Sequence, residues 1–209
     1  LKMEKSRVRR PRRYLRSRIT RKLILETALK LFLADGYKKT TITMISKQAN
    51  VGYGTVYSHF KGKDDLLIKI LDGFFDVFNT LLLVPPTFSG YQEAWDNYRE
   101  LVKTFLNLAE KHRPLMMALH EALEHSEPIV EYWDNIKNNF IKSIAGIIQQ
   151  AQQQKIAKPD FDPVKAAKIN VLLLECCFWE VVRENETDIQ YLGTFITNMI
   201  YEGLFIKSP

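Results

Sequence analysis

The stretch TITMISKQANVGYGTVYSHFKGK, residues 41–63, constrains the fold more than any other part of the chain. Its first half places apolar side chains on one face of a short helix, at Ile42, Ile45 and Ala49. Thr40 or Thr41 is the expected N-cap of that helix. Residues 50–52, Asn-Val-Gly, interrupt the pattern, because Asn and Gly tolerate the backbone of a tight interhelical turn. A second short helix over residues 53–59 completes a compact helix-turn-helix.

The second helix has one face for packing and one for contact with a partner. Val51, Val56 and Phe60 can pack against the first helix and fix the angle between the two. The other face carries side chains that form hydrogen bonds without adding a dense positive charge, namely Tyr53, Thr55, Tyr57 and His59. Such a face suits the reading of base edges in a DNA groove.

Residues from about 20 to 71 resemble the N-terminal DNA-binding domain of TetR-family transcriptional regulators. The resemblance covers about a quarter of the chain and rests on several motifs in the right order: TRKLILETALKLFLADGYKKTT, the two helices above, and FKGKDDLL at the start of a long fourth helix. It implies an all-α fold of about nine helices. An N-terminal three-helix helix-turn-helix domain would bind DNA, and a C-terminal helical domain would bind ligand and dimerise.

The resemblance also implies roles for single residues. Phosphate contacts are expected from Thr41, Tyr57, His59 and Lys63, and an approach to base edges from Tyr53, Gly54 and Thr55. Thr43 is a further candidate contact, at a position where relatives often carry a charged residue. Gly62 departs from the Ser that caps the fourth helix in many relatives, which predicts a less firmly held helix start.

Positive charge is concentrated near the N-terminus. Residues 1–22 hold 11 Lys and Arg and one acidic residue, a net charge of +10, whereas the whole chain carries +6. Residues 1–72 sum to +12 and residues 73–209 to −6. A basic first part is attracted to phosphates and a mildly acidic remainder is repelled, which orients the molecule on DNA.

The segment SRVRRPRRYLRSR, residues 6–18, lacks apolar periodicity and contains Pro11. We therefore expect residues 1–19 to form a flexible basic arm before DNA binds. One interpretation of this arm is a solvated tail. The other is a segment that follows the DNA backbone or enters a narrow A·T-rich minor groove, to which Arg is attracted.

Beyond residue 66 the sequence reads as helices separated at prolines and glycines. The expected spans are about 63–82, 91–111, 114–124, 128–154, 163–185 and 188–206. In the seventh helix, residues Trp133, Ile136, Phe140, Ile144 and Ile147 are expected to point inward. The predicted domains are an arm at 1–19, a DNA-binding domain at 20–70, and a ligand-binding and dimerisation domain at 71–209.

The last two helices carry more apolar surface than one subunit is expected to cover, including residues 171–174, 176–179, Phe195, Met199, Ile200 and Phe205. The resemblance implies a homodimer through helices eight and nine of both subunits. Two-fold symmetry would place two recognition helices in successive major grooves of a palindromic site. The alternative is that these side chains fill the core of a monomer.

The middle helices supply large apolar side chains that could line a cavity for a small amphipathic or apolar effector: Trp95, Tyr98, Phe105, Met116, Trp133, Phe140 and Phe178. His120 is added as a polar group that could orient such a ligand. For any single one of these apolar residues, an ordinary core position is favoured over a place in a cavity wall.

Other chemistries find little support. His120 with Glu124, and Glu121 with His125, have the i, i+4 spacing of a metal pair, but such groups on a short helix usually form a solvated face. Cys176 and Cys177 are the only cysteines, so a disulfide framework or zinc site is excluded, and buried packing is favoured over a redox switch. No Gly-rich phosphate loop, HExxH or GxSxG motif is present, so we expect no enzyme, cofactor or metal.

Together these observations predict a dimeric, ligand-responsive regulator that a small molecule releases from operator DNA, and a repressor rather than an activator. Neither a signal-peptide core nor an apolar run of roughly 18 residues is found, so a cytoplasmic protein without a membrane span is expected. The alternative is an architectural DNA-binding protein without an effector, which the basic arm favours and the large second domain opposes.

Overall fold

The computed structural model describes residues 10–83, 90–184 and 187–204. The described residues form nine helices and no strands, which confirms the all-α prediction. The helices are α1 Arg10–Lys39, α2 Ile42–Gln48, α3 Tyr53–His59, α4 Lys63–Leu83, α5 Tyr91–Lys111, α6 Arg113–Leu123, α7 Glu127–Gln153, α8 Pro163–Arg183 and α9 Ile189–Leu204.

Helix α1 is longer than the sequence pattern predicts. It runs for 30 residues from Arg10, so residues 10–19 of the predicted basic arm are helical, whereas residues 1–9 lie outside the described residues. The sequence pattern predicted no helix here because these residues have no apolar stripe. Arg and Leu favour helix without one, and Pro11 falls in the first turn, where no backbone N–H is needed.

The other end of α1 is shaped by Gly36, whose φ of 78° and ψ of 174° break the helix before its last residues. A residue with a Cβ rarely adopts this conformation. The break turns Tyr37 inward, where its side chain is 4% exposed and packs 6.0 Å from the ring of Phe32, centroid to centroid.

The predicted helix-turn-helix is present, with Thr41 rather than Thr40 as the N-cap of α2. The Thr41 hydroxyl accepts a hydrogen bond from the backbone N–H of Met44 at 3.2 Å. In the turn, Asn50 has a φ of 51°, the left-handed conformation that Asn tolerates. At the start of helix α4, Asp65 accepts a hydrogen bond from the Lys61 N–H at 3.0 Å, a contact that does not depend on a side chain at Gly62.

The remaining helices form a bundle on which the N-terminal helices rest. Helix α1 packs mainly on α6 and also on α4, while α4 packs on α7. Helices α5, α8 and α9 pack on one another, and α7 packs on α8. One continuous apolar core joins both ends of the molecule.

The helix ends agree with the predicted spans to within about three residues, because prolines and caps mark them. Ser126 accepts a hydrogen bond from the Ile129 N–H, and Asp162 accepts one from the Lys165 N–H, each one residue before a helix with Pro in its first turn. In α7 the predicted residues Trp133, Ile136, Phe140 and Ile144 are buried, whereas Ile147 is half-buried and Ile148 is buried beside it. Among the described helices, none is long and apolar enough to cross a membrane.

Candidate DNA-binding surface and ligand cavity

The exposed face of α3 is dominated by two tyrosines. Tyr53 is 53% and Tyr57 is 46% exposed, although both are large and partly apolar. Their rings lie 5.0 Å apart and their hydroxyl oxygens 3.3 Å apart. The hydrogen bond with Tyr53 raises the pKa of Tyr57, so its hydroxyl keeps its proton at neutral pH. The pair therefore offers donors and acceptors to a partner outside the molecule.

The other predicted contacts of α2 and α3 surround this pair. Thr41, Thr43 and Gly54 are exposed, and a Cβ at Gly54 would meet no atom within 4 Å. Thr55 and His59 are half-buried, so part of each side chain reaches solvent. Seven of the eight predicted residues are thus exposed or half-exposed to solvent.

Lys63 is placed differently. Its ammonium donates a hydrogen bond to the Tyr37 carbonyl oxygen at 2.8 Å and lies 3.9 Å from the centroid of the Tyr37 ring. Burial lowers the pKa of Lys63, although Asp64 and Glu121 oppose that shift. The Tyr37 hydroxyl in turn donates to Asp64. In this structure Lys63 therefore joins α4 to the end of α1.

Arg21 belongs to this surface although the sequence did not single it out. Its guanidinium lies 5.0 Å from the centroid of the Phe60 ring, directly after α3. Arginine over an aromatic ring is a favourable arrangement, and it places a positive charge beside the tyrosine face. No sequence pattern around Arg21 indicates this contact. It forms because α1 continues as one helix from the basic segment past Arg21.

A cavity lies between α5, α7 and α8 and encloses about 520 Å³, its open mouth included. Only about 30 Å³ of it is wide enough for a water-sized molecule, so a drug-sized ligand would require the walls to move apart. The lining residues are Tyr98, Leu101, Val102, Phe105, Trp133, Lys137, Phe140, Ile144, Val171, Leu174 and Glu175. Four of the predicted ligand residues are among them: Tyr98, Phe105, Trp133 and Phe140.

The other four predicted ligand residues lie outside the lining. Met116 is fully buried in the core, and Phe178 stacks on Phe105 behind the wall at 5.1 Å between ring centroids. The Trp95 indole donates to Asn198 at 3.1 Å. His120 packs edge-on against Trp179, with 5.1 Å between ring centroids. Each has the size or polarity of a pocket residue, but the helix rotation directs it elsewhere.

Two charged residues of the cavity were missed, Lys137 and Glu175. Lys137 is spaced at i+4 from Trp133, so the inward stripe of α7 contains it, but its charge suggested solvent. Its ammonium lies 3.0 Å from Asp134 Oδ1 and 3.4 Å from Glu175 Oε1. Desolvation lowers the pKa of Lys137, yet hydrogen bonds to Asp134 and attraction from both carboxylates outweigh it, so the pKa stands above its ordinary value.

At the inner wall, the Tyr98 hydroxyl donates to Asn170 at 3.0 Å. Both side chains are deeply placed, and burial raises the pKa of Tyr98. The buried polar groups of this wall are thus satisfied by each other, which leaves the space between them apolar.

The candidate metal pairs of α6 serve other purposes. The Glu121 carboxylate accepts a hydrogen bond from the backbone N–H of Lys38 at 3.1 Å, across to the end of α1. His125 lies beside Glu124 at 3.9 Å. The described ranges contain no group of three or more His, Cys, Asp or Glu side chains that could hold a metal ion.

Helices α8 and α9 leave apolar side chains on their outer faces, at Val164, Ile169, Leu172, Tyr191, Phe195 and Met199. Their exposed fractions reach 65% for Ile169 and 66% for Tyr191. Cys176 is also exposed, whereas Cys177 is buried, and burial raises the pKa of its thiol to about 11. Phe205 lies outside the described residues.

Comparisons with known proteins agree with this geometry. The family described as bacterial regulatory proteins of the tetR family matches residues 24–70. The uncharacterized HTH-type transcriptional regulator YhgD of Bacillus subtilis is 48% identical over 62 residues, 30% of this chain and 29% of that protein. YuxN of the same organism, another uncharacterized HTH-type regulator, is 30% identical over 122 residues, 58% of this chain and 42% of that protein. The matched part therefore spans less than half the length of these curated relatives.

Solved structures extend the likeness to the whole fold. SmeT in complex with triclosan matches with a TM-score of 0.74 and 19% identity over 91% of this chain and 93% of that one. SmeT is the repressor of the Stenotrophomonas maltophilia multidrug efflux pump SmeDEF. At this identity the similarity shows a shared fold.

Proposed function

We propose that this chain, whose residues 24–70 match the tetR family of bacterial regulatory proteins, is a dimeric transcriptional repressor that a small molecule releases from a palindromic operator. The observation that carries the proposal is the pairing of an exposed tyrosine face on the helix-turn-helix with an aromatic cavity in the same core. The predicted division into an arm at 1–19, a DNA-binding domain at 20–70 and a ligand-binding and dimerisation domain at 71–209 is part of the proposal.

DNA reading is assigned to α3. Tyr53, Gly54 and Thr55 approach base edges, while Thr41, Tyr57 and His59 contact phosphates, with Thr43 nearby. Phosphate contacts fix the position of the helix, and base contacts set its sequence preference. Lys63 takes part by leaving the Tyr37 carbonyl for a phosphate, or by holding α4 against α1.

Dimerisation is assigned to the outer faces of α8 and α9. Exposed apolar side chains concentrated on two adjacent helices are what a self-complementary interface requires. Two-fold symmetry then fixes the separation of two recognition helices at about 34–36 Å, one turn of DNA.

Effector binding is assigned to the cavity of α5, α7 and α8. Trp133 in its wall contacts Phe75 of α4, with 5.7 Å between ring centroids, and Trp179, at 5.5 Å. Helix α4 is therefore one lever between the cavity and the DNA surface. A second route passes from Trp179 to His120 and thus to α6, which holds α1. A ligand acts through either route only if it binds the two conformations with different affinities.

SmeT supports the effector by analogy, because its structure is a complex with triclosan. The competing candidate is an architectural DNA-binding protein without an effector, which the basic α1 extension favours.

A footprint upstream of the protein's own gene tests the proposal. We expect a two-fold symmetric protected region that weakens when an effector is added and that lies over the promoter. A sequence-independent footprint, unchanged by any compound that raises the melting temperature, would instead support the architectural role.

A further inference from the structure

The N-terminal part of α1 carries an apolar stripe that faces away from the molecule. Leu15, Ile19 and Leu23 follow one another at intervals of four residues and are 57%, 59% and 42% exposed. Leu15 precedes the buried Ile24 by nine residues, about two and a half turns of helix, so the two side chains point in opposite directions. No side chain between residues 14 and 23 is buried. The stripe therefore adds nothing to the core of this subunit.

The stripe lies in a region of concentrated positive charge. Residues 10–25 contain seven Arg and Lys and no Asp or Glu. Among the described side chains of this stretch, Lys22 alone pairs with a carboxylate, that of Glu26 at 3.6 Å, and both partners are exposed. The Arg18 guanidinium lies 5.8 Å from the centroid of the exposed Tyr14 ring. The cations beside the stripe are thus accessible to a negatively charged partner.

The helical rotation places these cations on both sides of the stripe. At 100° per residue, the stripe from Leu15 through Ile19 to Leu23 spans about 80° of the helix surface. Arg16 lies about 20° beyond Leu23, and Arg18 lies about 60° from Leu15 on the other side. An apolar stripe flanked by basic residues is the pattern of helices that lie in the plane of a membrane surface. Their apolar side chains enter the boundary between headgroups and acyl chains, while the basic residues meet lipid phosphates.

The apolar side chains distinguish a lipid surface from other anionic partners. DNA phosphates attract Arg and Lys as lipid phosphates do, but that attraction requires no Leu or Ile. A groove in another protein could accept the apolar stripe. However, the charge of residues 10–25 extends over more than four turns of helix, which an extended anionic surface matches better than a single groove does.

We propose that residues 10–23 of α1 bind the surface of an anionic phospholipid membrane, with Leu15, Ile19 and Leu23 inserted at the headgroup boundary and the arginines on lipid phosphates. This binding requires no spanning helix, and it does not depend on the proposed function. Where the chain also binds operator DNA, the two phosphate surfaces compete for the same arginines. An anionic membrane then draws the protein away from its operator.

Co-sedimentation of the full chain with phospholipid vesicles tests the inference. Vesicles of phosphatidylglycerol and phosphatidylcholine in equal parts supply the anionic surface, and vesicles of phosphatidylcholine alone are the neutral control. We expect at least about tenfold tighter binding to the mixed vesicles, since each basic residue near an anionic surface strengthens binding by about a factor of five. Equal affinity for the two kinds of vesicle, or no binding to either, would overturn the inference.

Two double variants separate the stripe from the charge. Leu15→Gln with Ile19→Gln keeps the charges and a side chain that favours helix, and it should weaken binding to the mixed vesicles by at least about tenfold. Its affinity for operator DNA should stay that of the parent chain. Arg16→Gln with Arg18→Gln should weaken binding to vesicles and to DNA alike. Val130→Gln, which replaces an exposed aliphatic side chain of α7, is the matched control and should change neither.

Competition between the two surfaces is measured on the complex with the duplex that footprinting identifies. Mixed vesicles should release this DNA from the parent chain, and neutral vesicles should not. Release should be much weaker from the variant Leu15→Gln with Ile19→Gln. Retention of the DNA by protein that is bound to vesicles would show that membrane and operator do not share the arginines.

The results also assign the stripe if lipid is not its partner. Vesicle binding that Leu15→Gln with Ile19→Gln leaves unchanged would overturn the inference, because charge alone would account for it. A loss of operator affinity or of self-association in that variant, with unchanged vesicle binding, would assign the stripe to DNA or to a second copy of the chain. If vesicle binding depends on the stripe but no operator is found, the inference stands and the proposed function fails.

Discussion

The hydroxyl groups of Tyr57 and Thr55 are expected to contribute differently to DNA binding, the first to sequence-independent affinity and the second to sequence discrimination. Tyr57→Phe removes only the hydroxyl, and we expect it to weaken binding to operator and to unrelated DNA alike, since phosphates carry no sequence information. Thr55→Ala should mainly erode discrimination, by about 1–3 kcal/mol per lost base contact. Titrations of operator and scrambled duplexes at one salt concentration measure both effects.

The matched variant Thr55→Ser retains the hydroxyl, so it should keep more of the discrimination than Thr55→Ala. Lys63→Ala tests the contribution of this ammonium: if it moves from the Tyr37 carbonyl to a phosphate when DNA binds, the variant should lose affinity for operator and unrelated duplexes alike. Unchanged affinity in both Tyr57→Phe and Lys63→Ala would show that this placement of α3 on DNA is wrong.

Gly36 and Gly146 should respond to alanine in opposite ways. At Gly36, with φ of 78°, a Cβ would be strained and would lie 2.8 Å from both Glu121 carboxylate oxygens. We expect Gly36→Ala to lower the free energy of unfolding by about 1–3 kcal/mol. At Gly146, inside α7 with open space around it, alanine should raise that free energy by about 0.5–1 kcal/mol.

Urea unfolding of the two variants beside the parent chain provides the measurement. Because each change adds one methyl group, the two results differ through the backbone conformation and the space around each glycine. A Gly36→Ala protein as stable as its parent would mean that the break in α1 is not required.

Between elements, the contact of α6 with α1 offers a test of communication. Glu121→Ala removes the acceptor of the Lys38 N–H, which lies outside both the cavity and the tyrosine face. We expect effector affinity to change little, while the loss of operator affinity on ligand binding shrinks by about 0.5–2 kcal/mol. Glu124→Ala, exposed at the end of the same helix, is the control. Operator titrations with and without effector measure this loss. If the effector lowers operator affinity as much in Glu121→Ala as in the parent chain, the effect of the ligand reaches the DNA surface through α4 and not through α6.

The N-terminal part of α1 should set the salt dependence of DNA binding. Deleting residues 1–18 removes most of the concentrated basic residues, so fewer counterions are released and the slope of log affinity against log salt should flatten. The fold should survive, because residues 14–18 are exposed and the buried part of α1 begins at Ile24. Deletion of residues 1–9 alone separates the contribution of the helical part. An unchanged slope after the longer deletion would indicate a solvated tail.

The elements predicted well from the sequence are those with local signals. The turn at Asn50 and the caps at Ser126 and Asp162 depend on neighbouring residues, so their positions could be predicted. The cavity depends on how helices rotate against each other. The size of its aromatic residues makes some of them recognisable in the sequence. However, Glu175 lines the cavity and Phe178 lies behind its wall, and no local sequence pattern shows which of the two faces the cavity.

At the scale of the whole molecule, assembly should respond to charge on the outer face of α9. Phe195 is 46% exposed and stacks on Tyr191 at 6.0 Å between ring centroids. We expect Phe195→Glu to yield folded monomers that bind a single half-site weakly, because burying unpaired carboxylates across the two-fold axis is unfavourable. Leu33→Glu, on the exposed side of α1 at 44% exposure, is the control and should remain dimeric. Sedimentation at micromolar concentration gives the result, and a monomeric parent chain would refute the interface.

The hydrogen bond from Lys38 to Glu121 has a consequence for building hybrid sensors from this protein. Exchanging the DNA-binding segment for that of another regulator would separate Lys38 from Glu121. These two residues are in contact because Gly36, which has no side chain, leaves room for the Glu121 carboxylate. A donor segment with a larger residue at this point would clash with Glu121 and leave its charge without the N–H. The graft should therefore carry a glycine at position 36, or be paired with a smaller side chain at 121, if ligand recognition is to reach the new operator.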